Sequence, residues 1–400
     1  MDKKEAVAGT RFHPVGGGCG GLRFDLREFG GALGDLGTLL PIIVGLISIN
    51  GLNPTACFLV VGLVYIFGGI YYRLPIPVQP LKAVGAIAIA QGLSIGVIKA
   101  ASMEMGLLLL LIGLSGILPF LIRAFPLPII RGIQLGVGLM LLRAGLRLVF
   151  SPQPGLGLLF HLMLPLVGLG VMILLLKERS PLPASIGILS FGAFAGIFMG
   201  KPPIFFDHLG PVPIQASLPA AGDLLPAFFL LVLPQIPLTL GNAVVATKEL
   251  AHSYFGGQQA ERVKESSLSV GMGLSNLAAG LVGGSPVCHG SGGLTAHYRF
   301  GARTGGANLM IGGLLVGLGV IFGQEILKVI RIIPLSILGL MVIYVGAKHC
   351  LLITDLTQRK FWFVTALFVG IMSLATGNIA VGYILGIALL GVVRLLQIRR

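Results

Sequence analysis

Two short stretches of this sequence place hydrogen-bonding side chains where proline delays the start of a helix. One is Pro75-Ile76-Pro77-Val78-Gln79-Pro80-Leu81-Lys82-Ala83, the other Gly283-Gly284-Ser285-Pro286-Val287-Cys288-His289-Gly290-Ser291-Gly292. Proline fixes φ, lacks an N–H and disfavours helix in the residue before it. Each stretch is therefore expected to run extended and only then become a helix. A helix start presents unpaired N–H groups and the positive end of the helix dipole, which together suit an anion. The side chains at these turns suit the same chemistry. Lys82 brings a full positive charge, while Gln79, His289 and Ser291 bring donors, with Cys288 beside them. Gln79 has a second use, capping the broken helix.

A further set of polar residues sits inside apolar runs. Asp35 and Thr38 are spaced i,i+3, as are Thr239 and Asn242, so each pair shares one helix face. Laying Leu36-Gly37 over Leu240-Gly241 puts Asp35 over Thr239 and Thr38 over Asn242. Asp35 is the clearest carboxylate within an apolar run. It could carry a proton during transport or hold Lys82 in a structural pair. Thr38, Thr239 and Asn242 could bind a ligand or bond neighbouring helices together.

Other chemistries fit poorly. Cys288 beside His289 is too small a set for a soft-metal site. The four cysteines (Cys19, Cys57, Cys288 and Cys350) lie far apart without CxxC or zinc spacing, so no metal, cofactor or disulfide is expected. His289-Gly290-Ser291-Gly292-Gly293 has the composition of a hydrolase oxyanion loop, yet no G-x-S-x-G elbow accompanies it, and no nucleophile–base pair argues for an enzyme. Gly16-Gly17-Gly18-Cys19-Gly20-Gly21 lacks the Lys-Ser/Thr ending of a P-loop and is expected to be part of a cytoplasmic tail. The first 28 residues have no apolar stretch of signal-peptide type.

The elements that position these groups follow from composition. Of the 400 residues, 55% are hydrophobic and 10% charged, against about 25% charged in a soluble domain. Mean hydropathy is +0.96. Such a chain is expected to be an all-α polytopic membrane protein, in contact with membrane lipids. Apolar runs and breakers predict fourteen transmembrane segments, at 30–49, 54–72, 77–98, 103–122, 127–149, 156–176, 182–200, 223–247, 266–283, 286–298, 305–323, 332–347, 361–376 and 378–396. The net charge of +14 would suggest nucleic acid in a soluble protein, but here its distribution fits the positive-inside rule. With the segments alternating, only Lys99, Arg143, Arg147, Lys201, Lys328 and Arg331 reach the outer ends. Lys82 falls inside a segment, and the rest of the 28 lysines and arginines lie on the side of the N-terminus. Both termini are thus expected in the cytoplasm, with no nucleic-acid partner. Arg131, Arg143 and Arg147 are expected to snorkel or meet phosphates, and the loop 248–265, with His252, Gln258 and Gln259, to be a cytoplasmic connection.

Fourteen segments divide into seven and seven, and an odd number per half inverts one half relative to the other, as in many secondary transporters. The expected organisation is a tail at 1–28, a first repeat at 29–200, an external loop at 201–222 and a second repeat at 223–396. The proline-broken segments 3 and 10 become half-helices that meet at mid-membrane, their N-termini facing each other.

Gly34-Asp35-Leu36-Gly37-Thr38, Pro77-Val78-Gln79-Pro80-Leu81-Lys82-Ala83, Pro234-Gln235-Ile236-Pro237-Leu238-Thr239-Leu240-Gly241-Asn242 and Pro286-Val287-Cys288-His289-Gly290-Ser291-Gly292-Gly293, followed by Tyr298-Arg299-Phe300-Gly301, resemble the molybdate-transporter branch of the sulfate permease (SulP) superfamily. The resemblance covers about 24–394. It implies the seven-plus-seven inverted-repeat fold shared with uracil permeases. In that fold segments 1–4 and 8–11 form a moving core, and segments 5–7 and 12–14 form a scaffold through which two copies can pair. Substrate lies between half-helices 3 and 10. The STAS domain of most sulfate permeases is expected to be absent, the sequence ending at Arg400. The implied function is import of a tetrahedral oxyanion, first of all molybdate, across the cell's inner (plasma) membrane; proton coupling through Asp35 is one of the two roles its residue type allows. Sulfate or tungstate carriage, a proton-coupled nucleobase permease of the same fold, and a passive anion channel are the alternatives.

Overall fold

A computed structural model of the chain describes residues 21–123, 126–151, 158–175, 184–199 and 208–398. Most of the N-terminal glycine-rich run, Cys19, Lys201 and Arg400 lie outside these residues.

The first expected segment is two helices, α1 (Leu26–Leu33) and α2 (Leu36–Asn50), bent by 49° at their junction. Asp25 caps α1, its Oδ1 accepting from the N–H groups of Arg27 and Glu28 at 3.0 and 2.9 Å. The bend leaves Asp35 at the break, between the two helices. Next comes α3 (Pro54–Tyr72), begun by Pro54 and by Asn53, whose side chain accepts from Ala56 N–H at 3.0 Å. The short strand β1 (Gln79–Pro80) leads into α4 (Lys82–Gln91), followed by α5 (Ile95–Ser115), α6 (Leu118–Arg123), α7 (Leu127–Val149), α8 (Leu158–Leu175) and α9 (Ala184–Phe198).

The eighth expected segment, 223–247, is one long helical run over Ala221–Phe255. It consists of α10 (Ala221–Ala227), α11 (Leu233–Leu238) and α12 (Thr247–Phe255), joined by π-helical stretches at Phe228–Val232 and Thr239–Ala246. Pro226, Pro234 and Pro237 lie in this run and withhold backbone donors, and wider π turns are one way in which a helix absorbs such breaks. The remaining elements are α13 (Glu265–Val282), β2 (Val287–Cys288), α14 (Ser291–Phe300), α15 (Gly305–Ile332), α16 (Leu335–Cys350), α17 (Lys360–Thr376) and α18 (Ile379–Ile398).

Each expected apolar segment coincides with helix, but not always with a straight, membrane-length one. Among the described residues, six helices are long and apolar enough to cross a membrane, and the bent pair α1–α2 makes a seventh. Shorter apolar helices occur at Lys82–Gln91, Met163–Leu175, Ile186–Phe198, Lys360–Thr376 and Ile379–Val392. The outward faces suit lipid: on α5, Leu107, Leu111 and Leu114 are 56%, 60% and 75% exposed.

Bare glycine backbones close the main helix contacts. α3 lies along α15, α5 along α13 and α7 along α16. A Cβ on Gly62 would come within 2.8 Å of Gly312 O, one on Gly106 within 2.9 Å of Gly273 O, and one on Gly145 within 2.7 Å of Gly339 O. Without a hydrophobic drive between helices in lipid, such close approach supplies the packing contacts.

Candidate functional site

The two proline-broken stretches cross each other and pair. β1 and β2 run antiparallel, Gln79 opposite Cys288 and Pro80 opposite Val287. Leu81 N–H also donates to Pro286 O at 2.9 Å. Extended backbone at membrane depth must find partners inside the protein, and side chains supply the rest. Asn276 of α13 donates to Val287 O at 2.7 Å and accepts from Val287 N–H at 2.9 Å. Asn308 of α15 donates to Ile76 O at 2.7 Å. His289 and His297 use Nδ1 to reach the carbonyls of Pro77 and Pro75, at 2.9 and 3.0 Å. A carbonyl can only accept, so both histidines carry a proton on Nδ1.

From this crossing α4 and α14 start, and a cavity of about 560 Å³ opens beside both starts. Of the residues singled out from sequence, Thr38, Lys82, Thr239, Asn242, Cys288 and Ser291 line it. Gln79, His289 and Asp35 do not. His289 is 1% exposed and lies edge-on to Tyr72. It is a brace for the crossing strand, not a group facing the cavity. Gln79 is fully buried and donates to Asp35 Oδ1. The expected donor to a ligand is thus a partner of the carboxylate.

The opposite wall comes from α7 and α16. Arg131, Gln134, Tyr344, Lys348 and His349 all line the cavity. Arg131 Nε donates to Asp355 at 2.7 Å and Nη1 to Gln134 Oε1 at 2.9 Å. The Lys348 ammonium lies 5.6 Å from the centre of the Tyr344 ring. No Asp or Glu is among the described lining residues, so the cavity is a cationic one. Sequence reasoning missed this wall. By sequence, Arg131 snorkels or meets a phosphate and Lys348 is one of the charges on the side of the N-terminus. The available signal is the i,i+3 pair Arg131 and Gln134 in the otherwise apolar first part of α7, residues 127–142.

Lys82 is the first residue of α4 and only partly buried. Among the described residues its ammonium has neither an ion-pair partner nor a hydrogen bond. The structural pair with Asp35 is therefore not formed. Asp35 is 2% exposed, and its Oδ2 has no hydrogen-bond partner. Gly293 lets the start of α14 pass close to it: a Cβ there would come within 2.8 Å of Asp35 Oδ1 and 2.7 Å of Gln79 Nε2.

The two helix starts are not equivalent, contrary to the expectation of matched donors. On α4, the N–H groups of Ala83 and Val84 are taken by Gln235 Oε1 at 2.8 and 3.2 Å. On α14, Gly290 is the N-cap and no side chain caps the helix. Ser291 and Gly292 at that start line the cavity, and Ser291 Oγ donates to Asn242 Oδ1. An anion entering the cavity meets one open helix start, the ammonium groups of Lys82 and Lys348, and several hydroxyls.

The family described as molybdate transporter of MFS superfamily matches residues 27–141 and 227–348. Molybdate transporter 2 of Arabidopsis thaliana is 30% identical, the match covering 93% of this chain and 89% of the relative. Molybdate transporter 1 of the same plant is 28% identical over 91% of this chain and 87% of its own length. Among solved structures, the transmembrane domain of the cyanobacterial bicarbonate transporter BicA has the same fold. Its TM-score is 0.65 at 17% identity, covering 89% of this chain and 96% of that one.

Proposed function

We propose that this chain, which belongs to the molybdate-transporter family, is a secondary active transporter that imports a tetrahedral oxyanion, molybdate first of all, by alternating access. That it is a multi-pass membrane transporter and not an enzyme follows from the family; substrate, coupling and mechanism are the proposal. One observation carries it. The unpaired ammonium of Lys82 and the uncapped start of α14 share a cavity whose described lining has no carboxylate. Away from water an unpaired ammonium is costly, and a bound dianion would repay that cost.

In this reading Lys82 neutralises one charge of the substrate, and the α14 N–H groups and Ser291 donate to its oxygens. Thr38 and Thr239 add hydroxyls to the cavity lining. Asp35 lies behind the site, not in it, where a proton taken up from outside would offset part of the charge carried inward. Arg131 and Lys348 lie at ends of α7 and α16 that the charge bias assigns to the cytoplasm, so the cavity is read as inward-facing. The inverted repeat is supported by the packing pairs. A shift of seven segments exchanges α3–α15 with α13–α5. In this proposal the helices α2, α4 and α14 move as a core against α7 and α16, and two copies pair through that scaffold in the cell's inner membrane, both termini cytoplasmic. The nucleobase alternative needs a carboxylate facing the ligand, and none of the described lining residues supplies one.

Purified protein in proteoliposomes, with molybdate uptake followed by metal analysis, tests the proposal. Uptake should be saturable, stimulated by an inward proton gradient and competed by tungstate and sulfate. Uptake of a nucleobase instead, or none of any oxyanion, would refute it. Unsaturable flux without competition would make the protein a channel.

A further inference from the structure

Gln235 belongs to α11, and its side chain reaches the start of α4. Its Oε1 accepts from Ala83 and Val84 N–H at 2.8 and 3.2 Å, while its Nε2 donates to Thr239 Oγ1 at 2.9 Å. Two N–H groups pointing at one end of the carboxamide decide that this end is the oxygen. The side chain is 2% exposed, yet it lines the cavity together with Lys82. A carbonyl oxygen here holds the position that an oxyanion oxygen takes at an open helix start.

Resting on the reading of this cavity as an oxyanion site, we propose that Gln235 is a specificity-determining residue that keeps the α4 end closed with an uncharged acceptor, so that the anion is taken by the α14 start and Lys82. The asymmetry has a cause in the sequence. With Leu36-Gly37 laid over Leu240-Gly241, the counterpart of Gln235 is Gly31. Glycine has no side chain to reach across, and Gly31 packs bare on Ala302, where a Cβ would come within 2.6 Å of the alanine Cβ. The α14 start therefore lacks the cap that the α4 start has.

Neutrality of the acceptor is the functional point. A glutamate of the same reach would bond the same N–H groups more strongly, but would place a fixed negative charge beside Lys82. Coulomb repulsion scales with ligand charge, so a dianion loses more than a monoanion. Removing the acceptor has the opposite sense, because it frees two N–H donors next to the place that the Gln235 side chain fills in the cavity wall.

The test is titration of the purified full-length chain with molybdate, sulfate and the monoanion nitrate by calorimetry, alongside the thermal midpoint of each variant. Gln235→Glu should weaken molybdate binding about tenfold or more and weaken nitrate binding less, since an added charge acts in proportion to ligand charge. Gln235→Ala should bind molybdate at least as tightly as the parent, with a changed ratio of molybdate to sulfate. If Gln235→Glu does not fold, Gln235→Met carries the test: it removes the acceptor at similar volume and should leave molybdate binding no weaker. Equal losses in Gln235→Ala and Gln235→Glu, at unchanged anion ratios, would make Gln235 a purely structural brace and overturn the inference. So would a Gln235→Glu protein that binds molybdate like the parent, or a Gln235→Met protein that binds it much more weakly. A parent that binds none of the three anions overturns the oxyanion reading itself, and the role of Gln235 with it.

Discussion

Gln79 donates a side-chain N–H to Oδ1 of Asp35, linking the crossing strand β1 to the bend between α1 and α2. The carboxylate is thus met by an amide and not by the ammonium of Lys82, three residues further along. That leaves Lys82 unpaired at the cavity and Asp35 Oδ2 without a partner behind it. Charge for the substrate and a seat for a proton are thereby separated, each held by a different neighbour.

Lys82→Ala should therefore weaken molybdate binding strongly without unfolding the protein, since no partner is orphaned. Loss of a charged hydrogen bond costs about 1.5–3 kcal/mol, or roughly ten- to hundredfold in Kd, and that is the loss expected for Lys82. Lys82→Arg keeps the charge but alters reach and shape, so selectivity among oxyanions should shift. Lys99, expected at an outer end, would be a poor control, being 8% exposed and bonded to Ser217 at 2.6 Å. The exposed Arg147 serves instead, and Arg147→Ala should change little. Parent-like molybdate titration of Lys82→Ala would remove Lys82 from the site.

Asp35→Asn tests coupling. A proton carried inward by Asp35 makes uptake rise as the external pH falls, because protonation is the loading step. The asparagine variant should lose that stimulation and keep anion exchange between loaded vesicles. Acid-stimulated uptake equal to the parent's, in protein of normal yield, would clear Asp35 of the role.

His289 offers the opposite contrast. Its Nδ1–H holds the carbonyl of Pro77, which is buried in the crossing. His289→Ala should lower stability by about 1–3 kcal/mol, the cost of a buried polar group left unsatisfied, while molybdate Kd of the folded fraction stays near the parent value. A weakened Kd at an unchanged melting temperature would put His289 in contact with substrate after all.

Topology is open to single-cysteine labelling. Cysteines introduced at Gln258 and at His208 should react from opposite sides of the membrane, Gln258 from the cytoplasm. Labelling of both from one side is incompatible with the alternation from which the inward-facing cavity is argued.

Much of the architecture could be read from residues alone, because its causes are local. Apolar runs long enough for a bilayer name the helices, and lysine and arginine bias suggests their orientation. Prolines at 77, 80 and 286 announce two extended stretches ahead of α4 and α14, and the structure has both. Six of the eight residues put forward for substrate do line one cavity.

What the sequence could not settle lies in contacts between distant segments. Proline removes helix at 77–80, but only the meeting of β1 with β2 decides that His289 braces Pro77 instead of facing the cavity. The i,i+3 spacing places Asp35 on a helix face, yet a 49° bend and an amide from Gln79 determine what it touches. Arg131 and Lys348 look like ordinary loop charges until α7 and α16 pack opposite the half-helices. Nor does anything in α4 itself show that its N–H groups are taken by Gln235. Composition and spacing act within one element, whereas the hydrogen bonds that join Asp35 to Gln79, Ala83 to Gln235 and Pro77 to His289 link groups tens to hundreds of residues apart, and only their arrangement in space selects the partner.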